Sequence, residues 1–182
     1  MRKSTSVPLS HLRFEMLKSY VLALRKHLGH QCIHLPGVRA IIPDDHGRVL
    51  LQRRIDMDLW GLPAGAVELD ETAFEALRRE VLEETGIEVQ SAEPMALHSG
   101  PSQRFQYPNG DRIQGFAITF IVRSWAGQPK ADGVEGSELR FWPIEALPPD
   151  MVPIHAQTLS DYKHFNGRFI VPDHSTTGEL RS

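Results

Sequence analysis

The stretch Trp60–Ile87, WGLPAGAVELDETAFEALRREVLEETGI, decides how the chain is read. Asp70 or Thr72 is placed to cap a helix beginning near Glu71, and Gly86 is placed to close it. Phe74, Leu77 and Val81 form the apolar side of that helix. At about 100° per residue, Glu80, Glu83 and Glu84 fall on an arc of about 140° or less, beside the small residues Ala73 and Ala76. Carboxylates three and four residues apart repel one another, and Glu83 and Glu84 also sit in the last turn, against the helix dipole. Something cationic must compensate. Arg78 and Arg79 offer one answer, a solvated helix laced with ion pairs, Arg79 standing four residues from Glu83. A hard divalent cation, Mg2+ or Mn2+, offers the other, with water and phosphate oxygens in its remaining positions.

The full spacing separates the two answers. Gly65 is followed after five residues by Glu71, and after seven more by Arg79-Glu80-Val81-Leu82-Glu83-Glu84-Thr85-Gly86-Ile87. This matches every fixed position of the Nudix box, and the chain resembles the Nudix hydrolase family. The preceding strand pair, Trp60-Gly61-Leu62-Pro63, the later hairpin and RFWPIEALP extend the resemblance from about Gly37 to Pro148. It implies an α/β fold, a Nudix α/β/α sandwich with a mixed sheet, and Mg2+-dependent hydrolysis of a pyrophosphate bond in a nucleoside diphosphate linked to a group X. Mn2+ is the expected substitute metal. Carried over by position, the metal carboxylates fall on Glu80 and Glu84, with Glu83 as a further ligand or the base that activates water. Gly65 would offer a backbone carbonyl, and Glu71 and Arg79 would hold the box together by charge pairing. Some members recruit a ligand from outside the box, and Glu135 or Glu138 is the candidate here.

Phosphoryl transfer asks mainly for positioning and for cations that neutralise charge on the transferred group and the leaving oxygen. Arg39, Arg53, Arg54 and Arg104 are candidates to meet phosphate oxygens, and Phe105 and Tyr107 to stack on a base. Against this stand the ordinary roles of strand aromatics in a core and of strand-end arginines in solvent. Trp60 has such a role as a packing anchor. Leu62-Pro63-Ala64-Gly65 is similar to the loop of ADP-ribose pyrophosphatases, which favours ADP-ribose or another nucleotide sugar or alcohol. Those enzymes tend to carry a proline about sixteen positions after the box; here Pro101 lies fourteen after Ile87 and Gln103 occupies the sixteenth. Hydrolysis of nucleoside triphosphates or dinucleoside polyphosphates stays open, as does a Nudix-like module that binds a nucleotide without cutting it. The intact box argues against the last.

Outward from the box, GVRAIIP and GRVLLQRR read as strands joined by a turn at Asp44–Gly47. IEVQ and MALHSG read as strand material, Arg104–Tyr107 and Ile113–Arg123 as a hairpin around Asn109-Gly110, and ELRFWPI as a last strand before a short helix from Ile154 to Lys163. Between Leu9 and Leu28, Leu12, Met16, Leu17, Tyr20, Val21, Leu24 and Leu28 mark an added N-terminal amphipathic helix. Its stripe must be buried somewhere, on its own sheet or in a homodimer. His27, His30, Cys32 and His34 crowd the connection that follows, and His-x-Cys-x-His does not complete a known ligand pattern. The expected organisation is residues 1–36 as helix and linker, 37–165 as the hydrolase domain and 166–182 as a tail.

With 182 residues, 41% hydrophobic and 24% charged, the chain suits one compact domain with its own core and is not globally disordered. Twenty Lys and Arg against 23 Asp and Glu leave a formal net charge of -3, which supplies no whole-protein field for nucleic acid or anionic membranes. The expected partner is a small-molecule nucleotide. Cys32 is the only cysteine, so an intrachain disulfide and CxxC patterns are excluded and a reducing, cytoplasmic setting fits. Neither a secretion signal nor an apolar run of about 18 residues is apparent.

Overall fold

The structure, a computed structural model, describes residues 19–173. Leu12, Met16 and Leu17 of the expected N-terminal helix, and the STTGELRS terminus, lie outside the described residues. Helix α1 covers Ser19–Leu28, and strand β1, Ile33–Ile41, follows directly. The strand therefore begins four residues before the boundary placed at Gly37, because Ile33–Pro36 already pair with Ile113–Phe116. The remaining elements are β2 (Arg48–Arg54), β3 (Trp60–Gly61), β4 (Ala64–Ala66), α2 (Ala73–Thr85), β5 (Glu88–His98), β6 (Arg104–Gln106), β7 (Arg112–Ala126), β8 (Gly136–Pro143) and α3 (Pro153–Lys163).

β1 and β7 run parallel at the centre of a five-stranded mixed sheet of order β4-β1-β7-β5, with β6 paired to the start of β7. β3, β2 and β8 form a second, antiparallel sheet. Side chains alternate between the two faces with the period of two that a strand imposes. Ala40, Ile42, Leu50, Phe120 and Val122 join one core with Ala76, Leu77 and Val81 of α2. Their neighbours Ile41, Val49, Leu51 and Ile121 join the other with Leu159 of α3. Both faces are thus covered by a helix, which makes the fold the expected α/β/α sandwich. Leu77 and Val81 are each about 1% exposed, and burying a side chain of this size contributes about 1.5–3 kcal/mol.

α2 starts at Ala73, two residues later than expected, and Thr72 rather than Asp70 caps it. Glu75 N–H donates to Thr72 Oγ1 at 3.2 Å and the Glu75 carboxylate accepts from Thr72 N–H at 2.9 Å, a reciprocal capping box. Asp70 instead takes a left-handed turn, φ 61°, which leaves Glu71 outside the helix. Gly86, φ 69°, closes the helix through its N–H to Leu82 O. β5 is continuous where the sequence suggested two pieces, because a register shift between Pro94 and Ala96 accommodates the proline.

Past α3 the chain does not fray at once. Ile170 bridges to Ala96, donating to Met95 O and accepting from Leu97 N–H, so part of the expected tail belongs to the second core. Among the described residues no helix is long and apolar enough to cross a membrane.

Candidate active site

α2 and the β3–β4 loop place the acidic side chains. Glu84 faces the sheet and is 1% exposed; its Oε2 accepts from Ala64 N–H at 2.9 Å, while its Oε1 is buried with no hydrogen-bond partner. Burial pushes the Glu84 carboxyl well above the usual range, and the nearby charge of Glu80 adds to the effect. Burial likewise raises Glu80, to about 7, with Glu83 and Glu135 contributing and Arg79 opposing. Gly65 sits on β4 opposite Val38 of β1. A Cβ there would stand 1.9 Å from Glu80 Cδ, so only glycine leaves room for the carboxylate.

Arg79 is the hub. Its Nε and NH2 donate to both oxygens of Glu71 at 2.8 and 2.9 Å, its NH2 also to Ala66 O at 3.0 Å, and its NH1 to Glu80 at 2.6 Å and Glu83 at 3.5 Å. The planar fork thereby fixes the loop before α2 to the carboxylates on it. Burial alone would raise Glu71, and the Arg79 fork overrides it, holding this carboxyl below its ordinary value.

Gly65, Arg79, Glu80 and Glu83 line a cavity of about 330 Å³ together with Arg54, Tyr107 and Glu135. A smaller lobe of about 100 Å³ opens beside it and adds Arg39, Phe105 and His155. The lobes share Leu35, Arg54, Ala64, Gly65, Ala66, Tyr107 and Ile113, so they meet at the box glycine. Phe105 and Tyr107 stand edge to face, ring centroids 5.1 Å apart. Arg54 pairs with Asp56 at 2.9 Å; burial alone would lower its pKa, and the pair more than offsets that.

Two of the expected phosphate contacts are not at the cavity. Arg53, on the opposite face of β2 from Arg54, pairs with Asp58 and Asp150 and lies over Trp60. Arg104 is exposed and donates to Gln114 at 2.9 Å across the β6–β7 pair. Arg39 lines the small lobe, yet its guanidinium is committed: it donates to Thr158 Oγ1 at 2.8 Å and Gln103 Oε1 at 2.7 Å, and burial lowers its pKa to about 10. It ties the sheet to α3. Glu138 pairs with Arg140 on the surface, leaving Glu135 as the loop acid at the cavity. Trp60 packs edge to face with Trp142 in the second core, as a loop anchor would.

Several residues at the site carried no sequence signal of a role there. Asp132 takes N–H bonds from Val134, Glu135 and Gly136 at 2.9 to 3.1 Å and so shapes the turn that presents Glu135. His155, buried on α3, accepts Leu62 N–H at its Nδ1 and holds the loop before the box. Val21 and Arg25 of α1 line the larger lobe, as do Asn109 and Asp111 of the β6–β7 turn. A Pro-rich or Gly-rich loop is visible in a sequence, whereas the neighbour it folds against is not.

The donor set suits a hard cation. Burial leaves Glu80 and Glu84 poorly solvated, the charge of Glu80 bears on Glu84, and the nearby Arg54 offsets only part of the penalty on Glu84, whose Oε1 has no hydrogen-bond partner. Among the described residues, no three acidic, His or Cys side chains are gathered closely enough to clasp an ion as placed. Arg79 NH1 takes up that role between Glu80 and Glu83. His30 of the His-x-Cys-x-His segment bonds Asp111 at 2.8 Å, and Cys32 is exposed.

Comparison with known proteins agrees with this geometry. The NUDIX domain family matches residues 33–162. A Bacillus subtilis (strain 168) protein named "Putative 8-oxo-dGTP diphosphatase" is 30% identical over 132 residues, 72% of this chain and 82% of its own length. The RNA pyrophosphohydrolase of Pseudomonas putida (strain GB-1) is 43% identical over 65 residues, 36% of this chain, which spans only 41% of that relative. Among solved structures, a MutT NUDIX hydrolase from Burkholderia pseudomallei superposes with a TM-score of 0.60 at 25% identity, covering 70% of this chain and 97% of its own. The chain belongs to the NUDIX domain family and is a hydrolase acting on phosphorus anhydrides.

Proposed function

We propose that the protein hydrolyses the pyrophosphate bond of a nucleoside diphosphate linked to a second group X, in a reaction that requires Mg2+. The observation that carries this reading is the forked cavity: two lobes meet at Gly65, beside Glu80 and Glu83, as two arms on either side of a pyrophosphate require. Glu80, Glu83 and Glu84, with the Gly65 carbonyl and Glu135, would hold the metal. When bound, it neutralises the phosphate oxygens and lowers the pKa of coordinated water. Glu83 keeps 32% of its side chain accessible, more than Glu80 at 14%, and accepts the proton of the attacking water. Arg79 positions Glu80 and Glu83, and Arg54 meets an oxygen of the pyrophosphate. Water oxygen bonds to phosphorus, the bridging P–O bond breaks, and two phosphorylated products leave.

A second reading, cleavage of a nucleoside triphosphate, is favoured by the name of the Bacillus subtilis relative. Incubation with Mg2+ or Mn2+ and ADP-ribose, nucleotide sugars, CDP-alcohols, dinucleoside polyphosphates and nucleoside triphosphates, with products identified by mass spectrometry, distinguishes them. The expected result is cleavage of one diphosphate-linked class that vanishes in Glu83→Gln. Turnover of triphosphates alone supports the second reading, and tight nucleotide binding without turnover overturns both in favour of a binding module.

A further inference from the structure

Helix α1 lies before the span matched by the family, yet it forms a wall of the catalytic cavity. Val21 and Arg25, one helical turn apart, line the larger lobe together with Glu80 and Glu83 of the acidic helix. Most polar groups at this end are taken up by one another, and Arg25 Nε, which has no hydrogen-bond partner, is itself buried and closed to a ligand. Arg25 NH1 donates to Gly29 O at 3.1 Å and Gln31 O at 2.7 Å, its NH2 donates to Arg112 O at 2.8 Å, and its Nε lies 3.5 Å from Asp111 Oδ1. Asp111 in turn bonds His30 Nδ1 at 2.8 Å and accepts from Asn109 Nδ2 at 3.1 Å. What the wall offers a ligand is therefore the aliphatic surface of Val21, Leu35 and Ile113 and the ring of Tyr107.

We propose that α1 completes a seat for the nucleobase, with Val21, Leu35, Ile113 and Tyr107 as its walls and Arg25 as the latch that holds the helix in place. A sugar hydroxyl or a phosphate would need free donors and acceptors at this end, and desolvating it against aliphatic walls is unfavourable. A flat ring is satisfied on its faces by aliphatic and aromatic surface. The acidic end selects the opposite arrangement, since pyrophosphate with its counter-cation suits the carboxylates. The two ends together fix the direction in which a nucleotide enters. The inference rests on the reading of the chain as a nucleotide hydrolase, and it places the base where Val21 of α1 meets the wall of Leu35, Tyr107 and Ile113 that the two lobes share.

The test is calorimetric titration of the full chain, in Mg2+, with ADP, GDP and UDP and separately with inorganic pyrophosphate. Val21→Asn and Arg25→Met are compared with the parent, and Val21→Leu serves as the conservative control. Loss of the apolar contact is expected to weaken each nucleoside diphosphate about tenfold in Val21→Asn and in Arg25→Met while pyrophosphate stays within about twofold, and Val21→Leu stays near the parent. Unchanged nucleoside diphosphate affinity in both variants, or equal weakening of pyrophosphate, overturns the seat. Nucleotide binding by a parent that cuts no anhydride overturns the proposed hydrolysis and leaves the seat standing. A parent that binds no nucleoside diphosphate overturns both.

Discussion

The carboxylate of Glu80 occupies the space where a side chain at Gly65 would begin, its three terminal atoms lying 1.9 to 2.4 Å from an ideal Cβ there. No rotation of a methyl group relieves an overlap of that size, so Gly65→Ala must displace either β4 or Glu80. We expect hydrolysis to fall at least about 100-fold, the scale of losing one positioned catalytic group, with the melting transition still cooperative. Near-parental turnover in this variant would show that Glu80 is not required where it stands.

Arg79 joins Glu71, Ala66, Glu80 and Glu83, and keeps 19% of its side chain accessible. Arg79→Ala should lower stability by about 2 kcal/mol in urea denaturation, less than the loss of a fully buried pair because water reaches the site. Glu71→Gln in the same background should add little, as the two side chains form one unit. Additive losses would contradict that coupling.

Burial raises the Glu80 and Glu84 carboxyls, so the folded metal-free protein holds these protons more tightly than the unfolded chain does. Their contribution to stability is present at acid pH and declines as pH rises from the usual carboxylate range through about 7, the value for Glu80. A cation bound there reverses the decline. Mg2+ should therefore raise the melting temperature more at pH 8 than at pH 5.5, and Glu84→Gln should shrink the difference. An equal Mg2+ shift at both values counts against metal binding by these residues.

His155 has the opposite sign. Burial holds its pKa well below 6.5, with the positive charges of Arg39 and Arg54 assisting, and its Nδ1 must stay unprotonated to accept Leu62 N–H. The unfolded chain takes up a proton as pH falls below 6.5 while the folded chain does not, so stability drops by up to about 1.4 kcal/mol per pH unit. His155→Gln should be less stable than the parent at pH 7.5 and lose less between pH 7.5 and 5.5. Parallel pH profiles in the two proteins would rule this out.

Adjacent arginines on β2 should behave unlike each other. Arg54→Met removes a cation from the cavity and is expected to raise KM about tenfold, whereas Arg53→Met, on the other face, should leave KM within about twofold. Steady-state kinetics with the substrate found by the panel decides the matter.

That pair also shows where sequence reading stops. Thr72, one of two candidate caps, Gly86 as the helix stop and the hairpin around Asn109-Gly110 follow from local chemistry, whereas the steric need for glycine at 65 appears only once Glu80 is packed against it. The choice between Arg53 and Arg54 depends on strand parity. Leu50 faces the α2 core and Leu51 the other, which carries Arg54 toward the box helix and Arg53 away from it. Arg39 reads in the sequence as a candidate phosphate contact, because the partners that occupy it, Gln103 and Thr158, lie 64 and 119 residues away. The apolar stripe of α1 predicted burial on its own sheet or in a homodimer; in the structure Tyr20 and Leu28 stay exposed, Val21 and Leu24 are half-buried, and only the fold brings Val21 to the cavity.

The hold of α1 on the cavity has an evolutionary consequence. Arg25 grips main-chain oxygens of Gly29, Gln31 and Arg112, and the side chain of Gln31 takes no part in its bond. Arg25 shares the attachment with His30, which bonds Asp111 and whose carbonyl accepts from Arg112 Nε at 3.2 Å, while the side chain at 31 is free to drift. Descendants of this chain that vary position 25 would therefore alter one wall of the cavity while its catalytic helix, further along the chain at Ala73–Thr85, stays as it is.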